Sequence, residues 1–155
     1  MKRNQSISQK AAARTSNHDK KSSPSNDQNR YAVSLCLKGI RYFHQHAYLQ
    51  ALVCLNRGLN NWQETTGNLL AEAVAMGYLG QIYAKQHKFW FALACYKAAL
   101  SLCRPRNSAT SRKFQAKLHE WLAELCQNCG HDDLAHSHLS TATHLRQGIK
   151  LAELN

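Results

Sequence analysis

The chain repeats itself. Leu79-Gly80 is followed by Tyr83, then by Ala92, Tyr96 and Ala99. The same offsets counted from Gly39 reach Tyr42, Ala51, Leu55 and Gly58; from Ala123, behind Leu122, they reach Cys126, Ala135, Leu139 and Ala142. Small residues hold the first, third and last of these positions in every copy, and larger, mostly apolar ones hold the others. The copies lie roughly forty residues apart, an interval typical of solenoids and repeat arrays.

The physics of such a pattern is a helix–turn–helix. Gly39, Gly80 and Ala123 mark where one helix must approach its partner closely, and Ala51, Ala92 and Ala135 mark the same on the second helix. A larger side chain there would push the backbones apart, while the bulky members fill the space on either side. Residues between the markers keep helical spacing: Leu35, Tyr42 and Leu49 in the first copy; Met76, Tyr83, Leu93, Tyr96 and Leu100 in the second. With only two prolines and seven glycines, the chain is too poor in turn residues for an all-β protein. The spacing predicts helix pairs over 30–45 with 47–61, 68–86 with 88–103, and 110–129 with 131–147. Thr65 or Thr66 would cap the third helix and Ser108 or Ser111 the fifth. Gly130 would end the fifth in a left-handed turn. Leu145, Ile149, Leu151 and Leu154 predict that the last helix runs on and covers the end of the stack.

The run Leu79-Gly80-x-x-Tyr83 followed by Ala92-x-x-x-Tyr96-x-x-Ala99 resembles the tetratricopeptide repeat, with Pro105 near where that repeat often ends. The first copy departs from it at Lys38, where the family has Leu; the third departs at Ala123 for Gly and Cys126 for Tyr. The long period is similar to the kinesin light chain-like variant of the family. The resemblance covers residues 31–147. It implies an all-α, right-handed α-solenoid of three helix–turn–helix repeats, without catalytic activity, docking a protein partner. The folded domain is taken as 30–155.

Residues 1–29 are expected to be a disordered basic tail. The first thirty residues carry Lys2, Arg3, Lys10, Arg14, Lys20, Lys21 and Arg30 against Asp19 and Asp27, and after Met1 their one large apolar residue is Ile7. So little apolar surface does not offset the entropy of ordering. No apolar run approaches a membrane span and no export signal is evident, so a cytoplasmic location with reduced cysteines is expected.

No catalytic constellation emerges: no phosphate loop, no His-Glu-x-x-His, no Gly-x-Ser-x-Gly. Glu120 and Glu124 share a helix face beside Lys117 and read as solvated. Cys126-Gln-Asn-Cys129 with His131, His136 and His138 offers zinc-type donors, but Cys126 occupies the packing position of Tyr42 and Tyr83, and no second Cys-x-x-Cys follows. Cys36, Cys54, Cys95 and Cys103 are spaced singly and read as small hydrophobes. No metal, cofactor or small-molecule substrate is expected.

Two apolar surfaces are candidates for a partner. By the resemblance, the first helix of each pair lines a groove: Val33, Cys36, Ile40, Phe43 and His44, then Val74, Gln81 and Lys85. The Lys and Asn set by which chaperone-binding members clamp a carboxylate is not found at matching sites, which argues against a co-chaperone. The second candidate is the outer face of the second helices, with Trp90, Phe91 and Ala94 in copy two and Leu49 and Val53 in copy one; copy three is polar there, at Asp133, Ser137 and Thr141. Trp90 either makes a contact site or folds over Trp62 or the nearby connector. The alternative function is association with RNA or an anionic surface through the tail and a basic segment holding Arg104, Arg106, Arg112, Lys113 and Lys117.

Overall fold

The computed structural model describes residues 24–63, 68–104 and 108–154. They form six helices: α1 (Pro24–His44), α2 (Tyr48–Gln63), α3 (Leu69–Lys85), α4 (Phe89–Cys103), α5 (Ala109–Asn128) and α6 (Asp132–Glu153). Neighbours pair as antiparallel hairpins, α1 with α2, α3 with α4 and α5 with α6. The pairs stack because α3 touches both α1 and α2, while α5 touches both α3 and α4. This is a solenoid of three helix–turn–helix repeats.

Each hairpin is closed by the same turn. His46, His87 and Gly130 adopt positive φ, at 61°, 57° and 75°. The next residue then donates its N–H back across the helix end: Ala47 to the Tyr42 carbonyl, Lys88 to that of Tyr83 and His131 to that of Cys126, each at 2.9 Å. This is the left-handed helix stop that satisfies a last-turn carbonyl. In two of the three turns a histidine accepts the conformation that glycine adopts in the third, and its ring meets the aromatic residue two positions on, Tyr48 or Phe89.

The small residues of the repeat do what their spacing demands. Ala51, Ala92 and Ala135 have no exposed surface. A Cβ on Gly80 would stand 2.5 Å from Cε1 of Tyr96, so the α3 backbone rests on that ring. The Tyr96 hydroxyl in turn accepts a 2.7 Å hydrogen bond from the Gln81 amide. Two apolar clusters result. One joins the first two pairs around Leu55, Leu59, Trp62, Leu79 and Ile82. The other joins the last two around Tyr96, Ala99, Leu118, Leu122 and Leu125.

Four sequence expectations need correction or placement. Helix α1 begins at Pro24, six residues before the helix start expected at 30; Pro24 suits a first helical turn, and the Asn29 side-chain oxygen accepts a 2.7 Å hydrogen bond from the indole of buried Trp62. The rest of the tail lies outside the described residues, as do Thr65, Thr66 and Pro105; α3 is capped instead by Asn68, whose side chain accepts from the Leu70 N–H at 3.2 Å. Ser108 caps α5 as expected, accepting from the Ser111 N–H at 3.1 Å. The last helix does run on, and Ile149 is buried, but Leu151 and Leu154 are exposed because α6 packs on α5 alone. For the same reason Leu139 is 41% exposed while its repeat equivalents Leu55 and Tyr96 are fully buried: Tyr96 lies against Trp121 of the next pair, and no described helix lies beyond α6.

Candidate docking surfaces

The first helices stand side by side and present a row of aromatic rings. Phe43 on α1 meets Tyr78 on α3 at 5.3 Å between centroids, Tyr78 meets Trp121 on α5 at 5.6 Å, and Trp121 meets Phe114 at 6.0 Å. Tyr78 and Trp121 were not among the sequence candidates. The signal was present: both lie two residues before the small residue of their repeat, Gly80 or Ala123. His44 is exposed and joins the row edge-on to Tyr78 at 5.8 Å. Val33, Ile40 and Phe43 are half-buried against the first cluster, and Val74 is half-buried on α3.

One candidate leaves this groove. Cys36 is 4% exposed and faces Gly58 inside the α1–α2 hairpin; burial and the neighbouring Cys54 push its thiol up to about 12. Cys36 reads as lining only if helices are treated as isolated cylinders; the close approach allowed by Gly58 turns it inward. Gln81 is 7% exposed and donates to Tyr96, and it stays at the groove in the wall of a small cavity. Lys85 is exposed but bridges to Glu124 of α5 at 3.7 Å, across a cavity of about 370 Å³. Here the inner groove is bounded by polar side chains.

The outer face is different. Trp90 is 83% exposed and Phe91 61%, so Trp90 folds over neither Trp62 nor any other described part of the chain. Phe91 lies tilted against Tyr83, 5.5 Å between ring centroids. Ala94 is exposed beside them, and Leu49 and Val53 are exposed on α2, which is not in contact with α4 and so holds a separate patch. Next to the aromatic pair a furrow of about 580 Å³ runs between α4 and α6. One wall is Phe89, Trp90, Leu93 and Lys97; the floor is Leu125, Cys126 and Cys129 at the end of α5; the far wall is His131, Leu134 and His138. The third copy therefore contributes to the apolar outer surface through Leu134, one residue beyond the polar position Asp133.

At the α6 wall, Nδ1 of His138 lies 3.0 Å from Nδ1 of His119 on α5, so one of the two neutral rings donates and the other accepts. Burial lowers the proton affinity of both, and for His119 the nearby His138 and Arg104 act in the same direction.

The basic segment is dispersed. Lys113 bridges to Glu153 at 2.9 Å, Lys117 bridges to Glu120 at 3.4 Å, and Glu120 also holds Arg146. Arg104 is exposed, Arg112 is half-buried, and Arg106 lies outside the described residues. Among the described residues no three His, Cys, Asp or Glu side chains are placed to share a metal ion, and no helix is long and apolar enough to cross a membrane.

Short antiparallel hairpins stacked through shared apolar clusters, closed by one recurring turn and offering two long helical faces, define a helical-repeat protein. The family model described as tetratricopeptide repeat matches residues 30–104, the first two pairs. Residues 30–104 are tetratricopeptide repeats. The third pair, beyond the matched residues, keeps the buried Ala123, Ala135 and Ala142 and the closing turn of the other two. No curated protein matches the chain. Tetratricopeptide repeats are in general protein-interaction modules, and that broad role extends to this chain.

Proposed function

We propose that the chain is a non-catalytic adaptor that docks a partner protein on the outer face of its second repeat, centred on Trp90 and Phe91, and so assists assembly or regulation of a complex. One observation carries this reading: two adjacent large aromatic side chains stand mostly in water beside an apolar furrow, where a monomeric fold normally buries such surface. Aromatic residues of this kind, next to a concave apolar site, are the usual energetic centres of protein interfaces. The inner groove supports the reading less, since Cys36 is buried inside a hairpin, Gln81 is held by Tyr96 and Lys85 by an ion pair.

The test is the double variant Trp90→Ser, Phe91→Ser in the full chain. Both side chains are exposed, so helical circular dichroism and the thermal midpoint should stay near their original values. Affinity for a partner purified with the chain from native extract should fall by about 2 kcal/mol or more, with little dependence on salt across the aromatic contact. Unchanged affinity, together with binding that disappears after nuclease treatment and falls steeply with salt, would replace this reading with phosphate association through the basic segments.

A further inference from the structure

We propose that the furrow between α4 and α6 seats an amphipathic helix of the partner, apolar on the face it inserts and acidic on the flank turned toward α4. The proposal rests on the docking reading above and names the chemistry of its ligand. The floor and walls are apolar over Phe89, Trp90, Leu93, Leu125 and Leu134, which fixes the inserted face. The charged side chains among the lining residues are Lys88 and Lys97, on the α4 wall. Both are exposed, and neither takes part in an ion pair among the described residues. Helix α4 also starts at this wall, and its cap residue Lys88 makes no side-chain cap, so the N–H groups of its first turn add a fixed positive potential. Acidic groups do occur beside the opposite wall, at Asp132 and Asp133 next to His131. The positive edge is thus one-sided, and the acidic flank of the ligand belongs against α4.

Charge also selects among occupants. Residues 1–23 carry six Lys and Arg against Asp19 alone, so the chain's own amino-terminal segment is repelled by this edge. A second copy brings a formal net charge of +11 to meet the same. An acidic segment of another protein is attracted over roughly a Debye length, about 8–10 Å at ordinary ionic strength. The lining favours a helix over an extended strand. It is built of side chains from helices whose backbones are already bonded, and it holds no sheet edge to pair an extended backbone; a helical ligand satisfies its own N–H and C=O groups.

The experiment uses two fluorescein-labelled helical peptides with one shared apolar face, Leu and Phe at i, i+4 and i+7, and either Glu or Lys at the flanking positions. Fluorescence anisotropy with the full chain should show the Glu peptide binding at least about tenfold more tightly than the Lys peptide, the advantage shrinking as salt is raised. The exposed-site variant Lys88→Glu, Lys97→Glu should reverse the preference, and Trp90→Ser, Phe91→Ser should abolish binding of both. Equal affinities, tighter binding of the Lys peptide to the natural chain, or no binding of either peptide would overturn the proposal. So would displacement of the Glu peptide by a synthetic 1–23 segment, or self-association of the chain that the aromatic variant abolishes. Binding that needs the aromatics but ignores charge defeats the acidic-helix proposal and leaves the docking reading standing. Partner affinity that survives loss of the aromatics defeats the docking reading itself.

Discussion

At the scale of single residues, the same substitution should act with opposite sign at two glycines. Gly130 stands at φ +75° with open space around a would-be Cβ, so alanine there meets no neighbour and suffers only the left-handed backbone. Gly148 lies within α6, also in open space but in ordinary helical conformation. Gly130→Ala should lower stability by about 1 kcal/mol, and Gly148→Ala should raise it by roughly 0.5–1 kcal/mol. Urea unfolding of the two variants checks both. Loss of stability in each would show that α6 is not helical around residue 148. Residue identity also explains what the bare sequence conceals. Gly130 is legible as a helix stop because glycine is the usual occupant of that conformation. His46 and His87 are not, because a histidine gives no local sign that it will turn left-handed; only the shared position in the repeat betrays them.

Among the elements, the α5–α6 hairpin carries a pH response. Two imidazoles from its two helices meet at 3.0 Å, and burial lowers the proton affinity of each from the ordinary 6.5, with Arg104 and His138 adding to the effect at His119. The unfolded chain therefore takes up protons first as pH falls. The stability of the hairpin is complete above about 6.5 and declines as pH drops from there through the lowered values of the folded pair. The thermal midpoint should fall with pH over this interval, and His138→Gln should flatten the dependence. An equally steep decline in that variant would place the titrating groups elsewhere. Helix existence and pairing were legible here: the alternation of small and large residues dictates which faces meet, and the structure has all six helices, with α1 starting and α6 ending about six residues outside the bounds the repeat spacing gave. The furrow was not legible. It is made by Leu93 of one pair and Leu125 and Leu134 of another, and its shape depends on how far α4 and α6 stand apart, a quantity that no periodicity within one helix encodes.

For the molecule as a whole, the amino-terminal boundary of the fold falls between two truncations. Removing residues 1–23 takes away a segment with one large apolar residue after Met1 and should leave the thermal midpoint nearly unchanged. Removing 1–30 also takes Asn29, the hydrogen-bond partner of the Trp62 indole, and the first turns of α1. It should cost about 1–3 kcal/mol, read by chemical denaturation, since a buried donor is left unpaired. Identical midpoints for the two truncations would mean that the first turns of α1 contribute nothing to the stack. Composition gives no sign of the early start of α1, because residues 24–29 hold no large apolar side chain; starting a helix and meeting one indole need none.

The recurring left-handed turn also has a consequence for how the chain comes to be folded. Each hairpin joins two helices that follow one another directly, and each pair meets only its neighbours in the stack. No contact between helices therefore reaches beyond the adjacent pair, and the loop entropy lost before contacts repay it stays modest. A chain emerging from the ribosome could complete its first hairpin while the third was still unmade, and add each later one onto a surface already in place.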